Sequence, residues 1–160
     1  MIVNHQRRVR VSIPSLNGFL STARKHLRLP AESFTVALVT DAQIARWNAA
    51  YRGKKKPTDV LSFPSDVSFP KNSHRAAGKT TRRFVSRSTQ QNGSTSYLGD
   101  IAIAPAVARR NALRFGRTFD VEMRILILHG VLHLLGYDHQ TDTGEMDRRE
   151  AWLRRKLGLA

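Results

Sequence analysis

Residues 119–139 carry the sequence FDVEMRILILHGVLHLLGYDH, in which a long apolar stretch runs into three histidines. The apolar stretch predicts a buried helix over 119–135, and the acidic residues Asp120 and Glu122 suit the positive N-terminal end of that helix. Gly136 follows, and glycine ends a helix in a left-handed turn without a steric penalty. We therefore expect a fold built around one buried helix with histidines near its C-terminal end.

The three histidines have the spacing of metal ligands. His129 and His133 are four residues apart, so they lie one above the other on the same helix face. A turn at Gly136 can bring His139 back as a third nitrogen ligand. Three protein ligands with one open position are typical of a catalytic zinc site, and such zinc activates water to hydrolyse a peptide or a phosphodiester. The alternative is a chance cluster of hydrogen-bonded core histidines.

Two neighbours of the histidines bear on the chemistry. The histidine and glycine spacing matches the metzincin proteases, but Gly130 stands where those proteases carry their glutamate general base. A zinc metalloprotease therefore stays an alternative without an obvious base. Asp138 is a candidate catalytic residue that accepts a hydrogen bond from a ligand imidazole and orients it. Capping of the turn after Gly136 is an equally good interpretation of Asp138.

Composition limits the class of protein. A chain of 160 residues is most consistent with one domain, and the absence of cysteine excludes disulfides and thiolate-bound zinc. No apolar run approaches the roughly 20 residues that span a bilayer, and no secretion signal is recognisable, so we expect a cytoplasmic protein without a membrane partner. The net charge of +15 favours a polyanionic partner, above all a nucleic acid.

Hydrophobic periodicity and turn residues predict the other elements. In chain order they are a strand over 9–13, a helix capped by Ser15 and closed by Pro30, a strand over 34–39, a helix capped by Thr40 or Asp41 that runs to Tyr51, strands over 60–63 and 101–103, a helix from Pro105 through Leu113, and a last helix over 143–157. Residues 65–97 are polar and basic, and they predict a mobile insertion that makes weak phosphate contacts.

A cationic segment follows the second predicted helix. Arg52, Lys54, Lys55 and Lys56 surround a glycine, and such a loop can bind RNA phosphates, with arginine able to bind them in a bidentate way. An ordinary solvated loop is the alternative for an isolated cluster of cations. Arg52 gains weight as a catalytic candidate because the chain also carries a candidate hydrolytic metal site.

Four blocks of sequence together resemble the YbeY family of bacterial endoribonucleases. In chain order they are 51–54 with 57–64, 98–101 with Pro105, 129–139, and Met146 with Glu150. Two departures accompany the resemblance: Lys55 stands where an acidic residue is expected, and the 65–97 segment is longer than the family's usual connection.

The resemblance implies one α/β domain over 1–160, in which a small mixed four-stranded sheet packs with about five helices and the metal site lies at the end of a central helix. It implies one zinc ion bound by His129, His133 and His139, with Arg52 in a cleft that faces the metal. The implied activity is single-strand-directed cleavage of ribosomal RNA in small-subunit maturation and quality control. Candidate partners are the small ribosomal subunit, ribosomal proteins and a ribosome-associated GTPase. A non-catalytic RNA-binding assembly factor remains the third alternative.

Overall fold

The computed structural model describes residues 1–65, 97–138 and 143–159. In chain order the described elements are β1 (Ile2–Asn4), α1 (Ile13–Leu27), β2 (Phe34–Leu38), α2 (Asp41–Arg52), β3 (Val60–Pro64), β4 (Gly99–Ile103), α3 (Pro105–Arg114), α4 (Phe119–Leu134) and α5 (Glu145–Lys156). The predicted α/β fold, with a mixed four-stranded sheet and about five helices, is confirmed. None of the described helices has the length and apolar character that a membrane crossing requires.

The four strands form one sheet in the order β1-β2-β4-β3. β1 and β4 run parallel to β2, whereas β3 runs antiparallel to β4 and lies at the edge. In the β3–β4 register Ser62 pairs with Ile101 and Phe63 pairs with Asp100. Because side chains alternate along a strand, the first pair lies on one face of the sheet and the second pair on the other.

Helices cover both faces of this sheet. α1 and α4 pack on the face that carries Ile101, with Leu16, Leu20 and Ile127 among the buried side chains of that core. α2 packs on the opposite face, where Ile44 contacts a second cluster that includes Phe63. A third cluster joins α4 to α5 through buried apolar side chains: Leu128, Leu132, Met146 and Leu153. α4 is thus buried between the sheet and α5.

The prediction of a strand over 9–13 is wrong. The strand that joins this edge of the sheet is β1, and Ile13 is already the first residue of α1. Val9 is buried, as its apolar character suggests, but the Gln6 side chain binds both its amide nitrogen and its carbonyl oxygen, each at 2.9 Å. A side chain therefore satisfies the backbone groups that a neighbouring strand would otherwise bind.

Helix caps were predicted with mixed success. Ser15 does not cap α1: the helix begins two residues earlier, with Pro14 in its first turn, and the Ser15 hydroxyl lies 3.3 Å from an oxygen of Asp120 on α4. Proline suits the first turn because an amide there has no partner within the helix. Thr40 does cap α2, since its hydroxyl accepts a hydrogen bond from the Gln43 amide at 3.2 Å.

The predicted basic insertion falls mainly outside the described residues, which stop at Ser65 and resume at Tyr97. The predicted mobility of that segment and its RNA contacts therefore stay predictions. Its two flanks are adjacent, because the Ser65 amide donates to the Leu98 carbonyl oxygen at 3.0 Å. Tyr97 belongs to the folded domain: its hydroxyl bonds to Asp100 and Thr35, and burial together with the Asp100 bond raises the pKa of the Tyr97 phenol.

Candidate metal centre

Helix α4 holds the first two candidate ligands in a rigid setting. Thr118 caps the helix through the Val121 amide at 3.3 Å, and two acidic residues occupy the first turn, as the helix dipole favours. From Glu122 to Leu134 most side chains of the helix are buried. His129 and His133 are exceptions and stay partly exposed, with 27% of the His129 side chain accessible. The two imidazoles are therefore fixed by a buried helix and still open to solvent.

The two imidazoles present the same ring nitrogen to each other. The Nε2 atoms of His129 and His133 are 3.1 Å apart, and the ring centroids are 4.7 Å apart at an interplanar angle of 75°. Two nitrogens bound tetrahedrally to one zinc ion at 2.0–2.1 Å would be separated by roughly 3.3 Å. The observed separation fits a shared metal ion, although the role of the two histidines as ligands stays a prediction.

Glu150 on α5 engages the other nitrogen of His129. Its Oε2 lies 2.9 Å from His129 Nδ1, and its Oε1 accepts a hydrogen bond from Arg154 one helical turn later. Burial raises the pKa of the Glu150 carboxyl, but the His129 hydrogen bond and the Arg154 charge outweigh burial and lower the pKa overall. The lowered pKa keeps the carboxylate ionised at neutral pH, so Glu150 can accept a hydrogen bond from His129 Nδ1.

Sequence reasoning assigned Glu150 no role of its own. Glu150 was named only together with Met146 as part of the family resemblance, because no local sequence pattern links a carboxylate to a histidine 21 positions earlier. The sole sequence signal was its position among the buried residues of an amphipathic helix, where a glutamate requires a partner. Tertiary packing of α5 on α4 brings that partner into reach.

The rest of the predicted metal set is only partly covered by the structure. His139 lies outside the described residues. Within the described ranges, no three His, Cys, Asp or Glu side chains form a metal-binding group. Asp138 is half-buried just after the turn at Gly136, whose φ of 91° is left-handed as predicted. The roles of both residues stay predictions.

Gly130 faces away from the candidate site and into the protein. A Cβ atom built on Gly130 would lie 2.7 Å from Cγ2 of Ile101, so a side chain at this position would force Ile101 to shift. The Gly130 carbonyl oxygen also accepts a hydrogen bond from the Ser62 hydroxyl at 3.1 Å. This position therefore anchors the helix to the sheet and has no room for a glutamate base.

Arg52 ends α2 on the other side of the sheet. It is exposed, and Gly53 follows it in a left-handed conformation with φ 68°. Tyr51 packs edge-on against Phe63, with ring centroids 5.4 Å apart, so the end of α2 lies at the edge strand β3. The next residue back along β3, Ser62, contacts α4 on the opposite face. The end of α2 and the histidine helix thus approach the same edge strand.

The predicted RNA-binding lysines follow in an ordered loop. Lys54, Lys55 and Lys56 are exposed, and the Lys56 carbonyl oxygen accepts a hydrogen bond from the buried Asn48 amide at 2.8 Å. Together with Arg52 they form a run of exposed cationic residues. The loop geometry is compatible with phosphate binding and equally with a solvated loop.

Comparison with known proteins identifies the family. The sequence model of the family described as endoribonuclease YbeY matches residues 2–158. The chain belongs to the YbeY family. An endoribonuclease YbeY from Koribacter versatilis is 36% identical over 159 residues, covering 99% of this chain and 86% of the relative. Another from Solibacter usitatus is 37% identical over 146 residues, covering 91% and 80%. The predicted enzyme class, a nuclease that hydrolyses RNA phosphodiester bonds, is confirmed.

A solved structure supports the fold independently. The solution structure of a Thermotoga maritima protein superposes with a TM-score of 0.58 at 24% identity, covering 98% of this chain and 89% of that protein. At this identity the likeness concerns the fold alone. The close packing of α4 on β4 explains why glycine occupies position 130: without a side chain there, the helix can lie directly on the strand.

Gly130→Ala is expected to destabilise the protein even though alanine is the better helix former. The new methyl group would overpack the contact with Ile101, which typically costs about 1–3 kcal/mol, against a helix-propensity gain of up to about 1 kcal/mol. We expect a net loss of about 1–2 kcal/mol in the free energy of unfolding, measured by urea denaturation.

Gly18→Ala provides the matched control. Gly18 is exposed within α1, and a Cβ atom there would meet nothing within 4 Å. That substitution is expected to stabilise the protein by roughly 0.5–1 kcal/mol. If Gly130→Ala and Gly18→Ala changed the free energy of unfolding equally and in the same direction, the close contact between α4 and β4 would be contradicted.

Proposed function

We propose that the chain is a zinc-dependent, single-strand-directed endoribonuclease that acts on ribosomal RNA in small-subunit maturation and quality control. The observation that carries the proposal is the convergence of two Nε2 atoms, 3.1 Å apart, in a member of the endoribonuclease YbeY family. Their separation suits one tetrahedral metal ion. Imidazole ligands, no cysteine and an open face favour a catalytic zinc site.

The proposed roles of the residues follow from their chemistry. His129, His133 and His139 hold one zinc ion, and Asp138 orients an imidazole. Bound zinc supplies a water of lowered pKa and polarises a phosphoryl oxygen. Arg52 binds the scissile phosphate through its planar fork and stabilises the charge that develops there.

Charge supports RNA as the substrate. The net charge of +15 favours phosphate binding through counterion release, and the exposed lysines Lys54, Lys55 and Lys56 lie beside Arg52 to bind neighbouring phosphates. Ribosomal RNA within the small subunit is the proposed target, in the cytoplasm, with ribosomal proteins or a ribosome-associated GTPase as partners. These partners come from the family resemblance, and the basic surface is compatible with them.

A substrate comparison tests the proposal. Zinc-loaded protein is expected to cleave single-stranded ribosomal RNA fragments, to cleave the matching duplex far more slowly and to leave casein intact. Protein treated with a chelator should lose RNA cleavage and regain it with zinc. Casein cleavage with intact RNA would support the protease alternative. RNA binding without cleavage at any metal concentration would support the assembly-factor alternative.

A further inference from the structure

We propose that Glu150 is a positioning residue for the metal centre: it fixes the tautomer and the ring orientation of His129, so that Nε2 is the nitrogen offered to the metal. The inference rests on the proposed zinc site. Glu150 would not touch the metal or the RNA. It would act through His129, from a different helix.

The geometry around Glu150 is specific. Only 8% of its side chain is accessible, and its two oxygens have different partners: Oε2 lies 2.9 Å from His129 Nδ1, and Oε1 binds Arg154. An ionised carboxylate only accepts hydrogen bonds, so the hydrogen must reside on His129 Nδ1. In the neutral imidazole, Nε2 then carries the lone pair that a metal requires.

Apolar packing sets the position of the carboxylate. Met146 and Leu153 lie on the same side of α5 as Glu150, and both are fully buried against Leu128 and Leu132 of α4. These contacts fix the distance between the two helices next to His129. The apolar contacts between α4 and α5 therefore place the Glu150 carboxylate beside His129.

Arg154 binds the carboxylate oxygen of Glu150 that does not face His129. Its guanidinium has only donors and binds an oxygen of Glu150, and its charge offsets part of the free-energy cost of a buried carboxylate. With Oε1 held in this way, Oε2 remains for His129. The trio of His129, Glu150 and Arg154 therefore has one consistent pattern of donors and acceptors.

Glu150→Gln distinguishes positioning from a merely structural salt bridge. Glutamine has the same shape, but Arg154 would compete for its single oxygen and turn the amide NH₂ towards His129. An NH₂ group donates, so His129 Nδ1 would become the acceptor and the hydrogen would move to Nε2. We expect the imidazole tautomer to invert and the affinity for zinc to fall by about 10–100-fold.

Glu122→Gln is the matched control. Glu122 is also buried, lies on the histidine helix and pairs with Arg117 at 2.9 Å, but it sits at the other end of α4. The Glu122→Gln substitution is expected to lower the melting temperature without changing the zinc affinity or the tautomer of His129. Glu150→Asp keeps the charge but shortens the side chain, so its zinc affinity should fall between the wild type and Glu150→Gln.

Two measurements without RNA test the inference. Zinc affinity is measured by competition with a chromogenic chelator, and the tautomer by long-range ¹H–¹⁵N NMR spectra of the histidines in metal-free protein. Wild-type zinc affinity in Glu150→Gln with the hydrogen still on Nδ1 would overturn the positioning role and leave the zinc site standing. A wild-type protein that binds no zinc would overturn the zinc site, and the positioning role with it.

Discussion

His133→Ala is expected to abolish RNA cleavage and to remove most of the bound zinc. The substitution deletes one of three proposed imidazole ligands, and a metal held by the remaining two should be released. The loss of activity should exceed the roughly 10–100-fold effect of losing a hydrogen-bond partner of a ligand. Zinc content is measured by elemental analysis of freshly purified protein, alongside RNA cleavage under saturating zinc. His129→Ala and His139→Ala should cause the same losses of bound zinc and of RNA cleavage.

An exposed histidine supplies the control. His26→Ala, on the surface of α1, should keep full zinc content and full activity. If His133→Ala retained one zinc ion per chain, His133 would be no ligand and the 3.1 Å contact with His129 would be a hydrogen bond between the rings. Full zinc content in His139→Ala would remove only that residue from the proposed set.

Arg52→Lys is expected to lower the rate of RNA cleavage by about 100–1,000-fold, the usual effect of removing one donor that stabilises charge in a transition state. Lysine keeps the charge but lacks the planar fork that grips a phosphate through two bonds. Arg52 is exposed at the end of α2, so the melting temperature and zinc content should stay at their wild-type values. Cleavage rates at saturating RNA, measured with zinc content and thermal unfolding, check this expectation.

Arg46→Lys makes the same chemical change on the same helix. Arg46 is also exposed, six residues before Arg52, so it shares the general electrostatic effect without the proposed contact at the scissile phosphate. Its cleavage rate should stay within about twofold of the wild type, as for most surface substitutions. Equal cleavage rates in Arg52→Lys and Arg46→Lys would show that Arg52 is an ordinary surface cation.

Local sequence was sufficient for most elements because local physics decides them. Thr40 caps α2 as predicted, since a threonine hydroxyl binds the free amide three residues later. Pro105 begins α3, where its missing amide hydrogen is harmless. The apolar run of α4 and the left-handed glycine at 136 were equally recognisable. The prediction of a strand over 9–13 was wrong because the alternation of apolar and polar residues predicts that Val9 is buried but not which group binds its backbone.

The sequence by itself determined the α/β class, the YbeY family and two histidines on one face of a buried helix, because helical spacing and residue chemistry act over a few positions. The tertiary structure decided what surrounds them. Glu150 meets His129 only because α5 packs on α4, and Gly130 is needed only because Ile101 of β4 lies against it. Such contacts depend on how elements distant in sequence are arranged around a common core, which no local spacing encodes.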